Sequence, residues 1–299
     1  MAFKSGFISI VGRPNVGKST LVNSLTGEKI SIISDKPQTT RNNLRAIITE
    51  KNYQIVFIDT PGIHKPKNKL GEFMVSTATN SLSEVNGIVY IYDATEKNIG
   101  PGDHYILEQI KQIKETPVFL VLNKIDLIKK EDLLELISKL SAEYEFTSVI
   151  PMSALKGQGV PLLSLEICKI LPEGPMYYPD DIITDSPVRQ ICTEIIREKI
   201  LNFTNEEVPH GVGVEILTYK DRPKSNIADI EATIFCEKDS HKGIIIGKNG
   251  SMLKRIGTSA RIDMEKLTGG KVNLQLWVKV KDDWRNNPGM LKELGFRKN

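Results

Sequence analysis

Residues 12–19 read GRPNVGKS, which matches the pattern G-x-x-x-x-G-K-[ST]. The octapeptide follows a short apolar run, GFISIV at 6–11, and precedes a helix-like stretch at 20–25. Its context is therefore strand, loop and helix. Glycines let the backbone wrap closely around a phosphate, and the amide groups at the start of a helix supply a positive field. This stretch predicts an α/β fold that binds a nucleoside triphosphate.

Each polar group of this loop has a predicted task. The Lys18 ammonium would reach the β- and γ-phosphates, and the Ser19 hydroxyl would bind Mg²⁺. The predicted nucleotide contacts in the loop are Gly12, Asn15, Val16, Gly17, Lys18, Ser19 and Thr20.

The first half of the chain alternates short apolar runs with amphipathic helical patterns. The predicted strands are 6–11, 44–49, 53–58, 87–92, 117–122 and 147–151, with helices near 18–26, 69–81, 102–114, 131–143 and 159–171. Apolar strands separated by helices indicate a mainly parallel central sheet that is buried on both faces. The second and third strands are too close for a crossover, so they should form an antiparallel hairpin.

The composition changes near residue 172. Residues 173–187 are rich in Pro, Asp and Tyr without periodicity, which is typical of a linker. The pattern that follows predicts the order α-β-β-α-α-β, a compact α+β domain. We therefore divide the chain into a first domain at 1–172, a linker at 173–187 and a second domain, with a C-terminal tail helix, at 188–299.

The second domain is the more basic part of the chain. Residues 1–189 hold 21 Lys/Arg against 22 Asp/Glu, whereas residues 190–299 hold 19 against 15. This bias hints at a polyanionic partner for the C-terminal part.

Residues 123–126, Asn-Lys-Ile-Asp, identify the base of the nucleotide. Guanine presents two adjacent donors that the Asp126 carboxylate can accept, whereas adenine offers an acceptor there. Asn123 would tie the loop together, and Lys124 would lay its aliphatic stem along the base. Ser153 and Ala154 follow the last strand, where a backbone amide would approach the guanine carbonyl. The chain is thus predicted to bind GTP and GDP.

A third motif completes the phosphate site. Asp59-Thr60-Pro61-Gly62 follows the apolar strand at 53–58. Asp59 would hold Mg²⁺ through water, and the Gly62 amide would meet the γ-phosphate.

A second glycine loop, Gly247-Lys248-Asn249-Gly250, lies in the C-terminal domain. Bare G-x-x-G is common, but here residues 241–262 contain five Lys/Arg and no acid, and apolar residues recur at helical spacing. The segment resembles a KH domain with its extra helix at the N-terminal side. That resemblance implies a loop that clamps unpaired RNA, with Lys248, Lys254 and Arg255 neutralising phosphates. The predicted RNA contacts are Gly247, Lys248, Asn249, Gly250, Lys254 and Arg255.

The N-terminal motifs together resemble the translation-factor-related P-loop GTPases. In such proteins a threonine of the switch region completes the Mg²⁺ shell; PQTTR offers Thr39 and Thr40, of which we favour Thr40. The predicted metal ligands are Ser19, Thr40 and Asp59, and the predicted catalytic groups are Lys18, Thr40 and Gly62.

Many similar GTPases carry a water-orienting Gln where this chain has Ile63. An apolar side chain cannot orient water, so we expect slow intrinsic hydrolysis that a partner accelerates. Arg13 and Arg41 stay open as arginine fingers in cis. Asn15 suggests instead that K⁺ replaces such a finger, as in GTPases with Asn at this position.

The combination of the two modules over residues 5–295 resembles the Era family of bacterial ribosome-assembly GTPases. That resemblance implies binding to the 3′ end of small-subunit ribosomal RNA, a role in maturation of the small ribosomal subunit, and loose association with the cytoplasmic face of the cell membrane. Three alternatives stay open: a GTPase directed at tRNA or another RNA, a passive RNA-binding protein, and a metabolic P-loop kinase. The guanine motif argues against the kinase.

The remaining features agree with a cytosolic protein. Cys168, Cys192 and Cys236 form no ligand cluster and are expected to be reduced, mostly buried thiols. The sequence has no signal-peptide pattern and no apolar run of membrane-spanning length. Of the two tryptophans, Trp277 is expected in the core, and Trp284 is expected to pack rather than to stack on a base.

Overall fold

The computed structural model describes residues 2–34, 36, 39–62, 66, 68–82, 84–113, 115–205, 208–223 and 225–296. The chain divides into two compact units. The first unit comprises Met1–Ser31, Thr40–Lys65 and Met74–Asp185, and the second comprises Ile32–Thr39, Pro66–Phe73 and Ser186–Asn299. None of the described helices is both long and apolar enough to cross a bilayer.

A six-stranded sheet forms the centre of the first unit. Its strands are β1 (Lys4–Val11), β2 (Leu44–Glu50), β3 (Tyr53–Asp59), β4 (Gly87–Asp93), β5 (Val118–Asn123) and β6 (Ser148–Pro151). They lie in the order β2-β3-β1-β4-β5-β6, and every pairing is parallel except β2 with β3. The predicted mainly parallel sheet and the predicted hairpin are both confirmed.

Helices accompany the strands as the alternating pattern predicts. They are α1 (Lys18–Thr26), α2 (Lys69–Asn80), α3 (Pro101–Lys111), α4 (Lys130–Glu143) and α5 (Val160–Ile170). One apolar cluster joins Ile8 and Phe57 to Leu163 of α5. Another joins Tyr90 to Ile106 of α3. Burial on both sides explains why the strands are apolar throughout rather than alternating.

The parallel arrangement brings the functional motifs to one edge of the sheet. The carboxyl ends of β1, β3, β4, β5 and β6 lie together because parallel strands run in the same direction. The phosphate loop, the Asp59 motif and the Asn123 motif each begin at such an end. Sites in sheets of this kind form at this edge, so the topology assembles residues that are far apart in sequence.

The Pro- and Asp-rich stretch, up to Asp185, belongs to the first unit and lies against its sheet. The amides of Tyr177 and Tyr178 donate to Gln54 Oε1 at 2.8 and 3.0 Å, and Gln54 Nε2 donates to the Tyr178 carbonyl at 2.8 Å. The amide of Ile47 on β2 donates to the Ile183 carbonyl at 2.8 Å. These bonds fasten the stretch to β2 and β3, although its composition carries no sign of them.

A three-stranded sheet with helices forms the second unit. Its elements are α6 (Val188–Phe203), β7 (Gly213–Asp221), β8 (Ile227–Cys236), α7 (Asp239–Ile246), α8 (Ser251–Thr268), β9 (Lys271–Val280) and α9 (Pro288–Glu293). The central strand β8 pairs antiparallel with β7 and parallel with β9. The predicted order α-β-β-α-α-β is confirmed. Ile196, Ile230 and Ile256 contribute to the core of this unit.

The two tryptophans differ in a way that corrects one expectation. Trp277 on β9 is 42% exposed, so its assignment to the core was wrong. Strand side chains alternate between faces, and Trp277 shares its face with exposed Gln275 and Lys279. Trp284 is fully buried, and its indole N–H donates to the Gly211 carbonyl at 2.9 Å. The expectation that Trp284 packs is confirmed.

The second unit also contains a buried ionic cluster. Lys199 of α6 donates to Glu198 Oε2 at 2.7 Å and to Asp263 of α8. Glu198 Oε1 in turn accepts the Ile33 amide at 3.0 Å, within the segment at 32–39 that belongs to this unit. The charges of Lys199, Glu198 and Asp263 thus pair with one another inside the unit. The apolar periodicity of the α6 sequence gives no sign of this cluster.

Candidate functional site

The phosphate loop closes around the Lys18 side chain. Lys18 is buried, and its ammonium donates to the carbonyls of Gly12 at 3.0 Å and Arg13 at 2.7 Å. Gly17 has φ of 102°, a left-handed conformation that favours glycine, and it directly precedes α1. A Cβ there would lie 2.2 Å from Asn123 Nδ2, so the loop and the Asn123 motif meet at a glycine.

The three predicted metal ligands lie together in the first unit. Ser19 Oγ is 3.0 Å from Thr40 Oγ1 and 3.4 Å from Asp59 Oδ2. Ser31 Oγ, which the sequence reading missed, donates to Asp59 Oδ2 at 3.2 Å. The other threonine of the pair, Thr39, directs its hydroxyl to the Lys36 carbonyl at 2.6 Å.

Burial controls the electrostatics of this site. Desolvation raises the pKa of Asp59 to about 6, although Lys18, Ser31 and Ser19 each pull it down. Desolvation likewise lowers the pKa of Lys18 to about 8, against the attraction of Asp59. Buried charges are costly unless they are paired or bind metal. The Lys18 ammonium therefore suits a negatively charged phosphate, and the Asp59 carboxylate suits a metal cation.

The Asp59 carboxylate offers a test of whether Mg²⁺ fits here. Within the described part of the chain, its Oδ1 atom is buried and accepts no hydrogen bond. Such an oxygen suits a metal-bound water. The Ser19 hydroxyl lies near the other carboxylate oxygen, Oδ2, and the Thr40 hydroxyl lies near that of Ser19. Oxygen ligands of this kind fit Mg²⁺.

Gly62 lies against the phosphate loop. A Cβ on Gly62 would come within 2.9 Å of Pro14 N, so this position has no room for a side chain. The Thr60 hydroxyl donates to the Ile10 carbonyl at 2.7 Å and fixes the chain just before it. Ile63 lies outside the described residues. The prediction that no side chain orients the attacking water at this position therefore rests on the sequence alone.

Arg13 is held by acidic side chains. Its guanidinium lies 2.9 Å from Glu96 Oε1 and 3.3 Å from Asp103 Oδ2. Asp103 is buried and also accepts the Tyr90 hydroxyl at 3.0 Å. These contacts anchor the phosphate loop to the start of α3. They give Arg13 a structural task, which argues against its use as an arginine finger.

The guanine motif follows β5 and is tied to two other segments. Asn123 Nδ2 donates to the Val16 carbonyl at 2.8 Å, and Asn123 Oδ1 accepts the Ala154 amide at 2.9 Å. One buried side chain thus joins the phosphate loop, the end of β5 and the loop after β6, as the sequence reading predicts.

The Asp126 carboxylate is prepared to stay ionised. A side-chain hydrogen bond with Ser153 lowers its pKa, and Lys156 Nζ, 3.6 Å from Oδ2, acts in the same direction. An ionised carboxylate is the form that accepts two donors. Lys156 follows the Ser153-Ala154-Leu155 segment in the sequence and was not singled out there.

The second glycine loop joins α7 to α8. Gly247 and Gly250 have φ of 71° and 76°, and Asn249 between them has φ of 52°. At Gly247 a Cβ would lie 2.8 Å from Met252 Cβ, whereas at Gly250 no atom lies within 4 Å. A side chain at Gly247 would therefore both clash with Met252 and strain the left-handed backbone, whereas a side chain at Gly250 would only strain the backbone.

The basic residues at this loop are accessible in the second unit. Lys248, Lys254 and Arg255 are all exposed. The Arg255 guanidinium lies 4.1 Å from the centre of the Phe203 ring, which orients it by a cation–π contact. Ile244, on the helix before the loop, is 47% exposed and supplies apolar surface beside the charges. Charge beside apolar surface suits a single-stranded nucleic acid.

Comparisons with known proteins assign a family model to each part of the chain. Residues 7–124 match the model described as 50S ribosome-binding GTPase, and residues 207–285 match the KH domain model. The chain is 54% identical to GTPase Era of Alkaliphilus metalliredigens over 296 residues, which cover 99% of this chain and 100% of the relative. It is 55% identical to GTPase Era of Clostridioides difficile over 295 residues, with 98% and 99% covered.

Two solved structures resemble the whole chain. One is Era in complex with MgGDPNP and nucleotides 1506–1542 of 16S ribosomal RNA, with a TM-score of 0.95 and 42% identity. The other is an Aquifex aeolicus Era variant bound to GDP·AlF₄⁻, with a TM-score of 0.94 and 41% identity. Each likeness covers 99% of this chain and 100% of the other.

Proposed function

The chain belongs to the family of GTPase Era, and from this premise we propose that it is a slow, Mg²⁺-dependent GTPase that binds small-subunit ribosomal RNA and assists maturation of that subunit. The observation that carries the proposal is the presence of two separate sites on one chain. The first unit has a guanine-reading carboxylate beside a phosphate loop, and the second has an exposed basic G-x-x-G loop.

The proposed site in the first unit uses the residues as the sequence assigned them. Lys18 and the Gly62 amide bind the γ-phosphate, and Ser19, Thr40 and Asp59 hold Mg²⁺. When bound, the metal neutralises charge that develops on the phosphate oxygens. The contact of Ser19 with Thr40, rather than Thr39, supports the choice of Thr40.

The proposed RNA site uses the backbone of Gly247 to Gly250 and the charges of Lys248, Lys254 and Arg255. The solved complex of a relative with a 16S ribosomal RNA segment supports this choice of ligand. The division into 1–172, 173–187 and 188–299 is part of the same proposal, with each site in its own domain.

Binding of the RNA segment 1506–1542 to the GTP- and GDP-loaded forms tests the proposal. Replacing Lys248 and Lys254 by Glu should weaken RNA binding by about tenfold or more. The slope of log K for RNA binding against log salt concentration should become shallower by roughly one to two. The affinity for GTP should not change. Lys220→Glu, at another exposed lysine, on β7, is the control.

Three outcomes would contradict the proposal. If RNA binding survives the double substitution, the loop is not the RNA site. Equal RNA affinity in the two nucleotide states would favour a passive RNA-binding protein. A stronger affinity for tRNA than for the ribosomal segment would favour the tRNA-directed alternative.

The proposal extends to an activating ion and to the location of the protein. The Asn15 position suggests K⁺ as an activating ion, and a higher hydrolysis rate in KCl than in NaCl would support it; equal rates would exclude it. A cytoplasmic location with peripheral membrane association rests on the family resemblance. Sedimentation of the protein with vesicles of bacterial lipid would test that association.

A further inference from the structure

Asp93 ends β4 beside the guanine motif and belongs to none of the predicted nucleotide or metal contacts. The β4–β5 register pairs Asp93 with Asn123, and the Ala94 amide donates to the Asn123 carbonyl at 2.9 Å. The Asp93 residue is only 9% exposed. A carboxylate is thus placed at the sheet edge next to the motif that would read the base.

The Asp93 carboxylate is oriented by the residue two positions later. Its Oδ1 atom accepts the Thr95 amide at 3.0 Å and the Thr95 hydroxyl at 2.7 Å. Two donors on one oxygen fix the plane of the carboxylate. The other oxygen, Oδ2, faces Lys124 and accepts its ammonium.

Lys124 combines an unusual backbone conformation with a flexible side chain. Its φ is 68°, a left-handed conformation that is uncommon for residues other than glycine. The flexible four-carbon stem could extend into water, and binding would then have to order it. The contact with Asp93 holds the ammonium and leaves the stem as a preformed apolar surface.

We propose that Asp93 is a positioning residue for base recognition, which holds Lys124 so that its stem lies flat against the guanine. The inference rests on the proposed function, in which Lys124 contacts the base. Asp93 itself does not touch the nucleotide. Its effect should appear in binding of both GDP and GTP, because both carry the same base, and not in the chemical step.

Asp93→Asn tests the inference with little change of shape. Thr95 would claim the single remaining carbonyl oxygen, and the Asn amide would face the Lys124 ammonium as a donor. We expect the Kd for GDP and for GTP, and the KM for GTP, to rise by about tenfold. The kcat at saturating GTP should not change. Glu135→Gln, which removes a surface ion pair with Lys139, is the control and should alter neither quantity.

A double-mutant cycle with Lys124→Met assigns the effect to the Asp93–Lys124 contact. If Asp93 acts through Lys124, the Asp93 substitution should add less than twofold in the Lys124→Met background. A full additional loss in that background would overturn the inference, and so would a Kd for GDP that stays within twofold in Asp93→Asn alone.

GDP binding by the Lys124→Met variant alone distinguishes failure of the proposed nucleotide site from failure of the inference about Asp93. If Lys124→Met leaves GDP binding unchanged, the assignment of Lys124 to the base is wrong and this inference falls with it. If only Lys124→Met weakens binding, the base assignment stands and Asp93 has no part in it. Should Asp93→Asn fail to fold, Thr95→Val replaces it, with an expected rise of roughly threefold in the Kd for GDP; no rise would overturn the inference.

Discussion

At the scale of the residue, Asp126 carries the choice of nucleotide. Its carboxylate lies in the short turn that follows β5, where Ser153 and Lys156 keep its pKa low. The partners of a buried polar site determine specificity because a mismatched ligand leaves donors or acceptors unpaired. The base preference of the whole chain therefore depends on one side chain in our proposal.

Asp126→Asn should change that preference. An Asn amide offers a donor to the ligand, which suits xanthine, whose exocyclic oxygen replaces the amine of guanine. We expect the affinity for GDP to fall by roughly 100-fold and the affinity for XDP to rise above it. Competition of both nucleotides against a fluorescent GDP analogue measures the change. An unchanged preference for GDP would contradict the role of Asp126.

The two tryptophans should differ in how much each contributes to the stability of the second unit. Trp284→Phe removes the indole donor and leaves the buried Gly211 carbonyl without its 2.9 Å partner. We expect the free energy of unfolding of the second unit to fall by about 1–3 kcal/mol. Trp277→Phe, at an exposed position, should change it by less than about 0.5 kcal/mol. Urea titrations of both variants provide the measurement, and equal effects would argue against the burial of Trp284.

At the scale of the element, α6 combines an apolar face with buried charges. Ile191, Ile195, Ile196 and Ile200 recur at helical spacing and pack into the core. Lys199, between them, is only 8% exposed and lies between Glu198 and Asp263 of α8. The helix is held against α8 by both kinds of contact.

Lys199→Met tests the contribution of this buried ionic cluster. Removing the cation leaves the Glu198 and Asp263 carboxylates close together without the ammonium that they share, which costs more than the ion pairs themselves contributed. We expect the free energy of unfolding to fall by about 3 kcal/mol. Lys254→Met on the exposed side of α8 is the control, with little effect. A neutral result for Lys199→Met would mean that water reaches and solvates the two carboxylates.

At the scale of the whole molecule, the chain builds separate cores. The apolar clusters on the two faces of the large sheet contain residues of the first unit, and the third cluster contains residues of the second. No residue is shared between the cores of the two units among the described residues. The nucleotide motifs lie in the first unit.

Calorimetry with and without nucleotide should therefore separate the units. Mg²⁺ and GDP at 100 times the Kd should stabilise the first unit by about 2.7 kcal/mol, because only the native state binds. We expect one unfolding transition to shift upward and a second to keep its temperature. Lys18→Met, which loses a phosphate ligand, should abolish the shift. A single transition that moves as one would contradict independent unfolding.

The amino-acid sequence by itself determined the order of strands and helices, the antiparallel hairpin, the phosphate loop and the Asn123–Asp126 motif. These features depend on local periodicity, on glycine conformations and on spacing along the chain. Even the edge of the sheet that collects the motifs follows from parallel strands. The same local rules predicted the α-β-β-α-α-β order of the second unit.

Only the tertiary structure decided which distant side chains meet. It paired Lys124 with Asp93, placed Ser31 on Asp59 and exposed Trp277. It also grouped residues 32–39 with the C-terminal unit, in which the Ile33 amide donates to the Glu198 carboxylate. Such contacts join residues that are distant in sequence, and their energy depends on burial and on partners that no local pattern records.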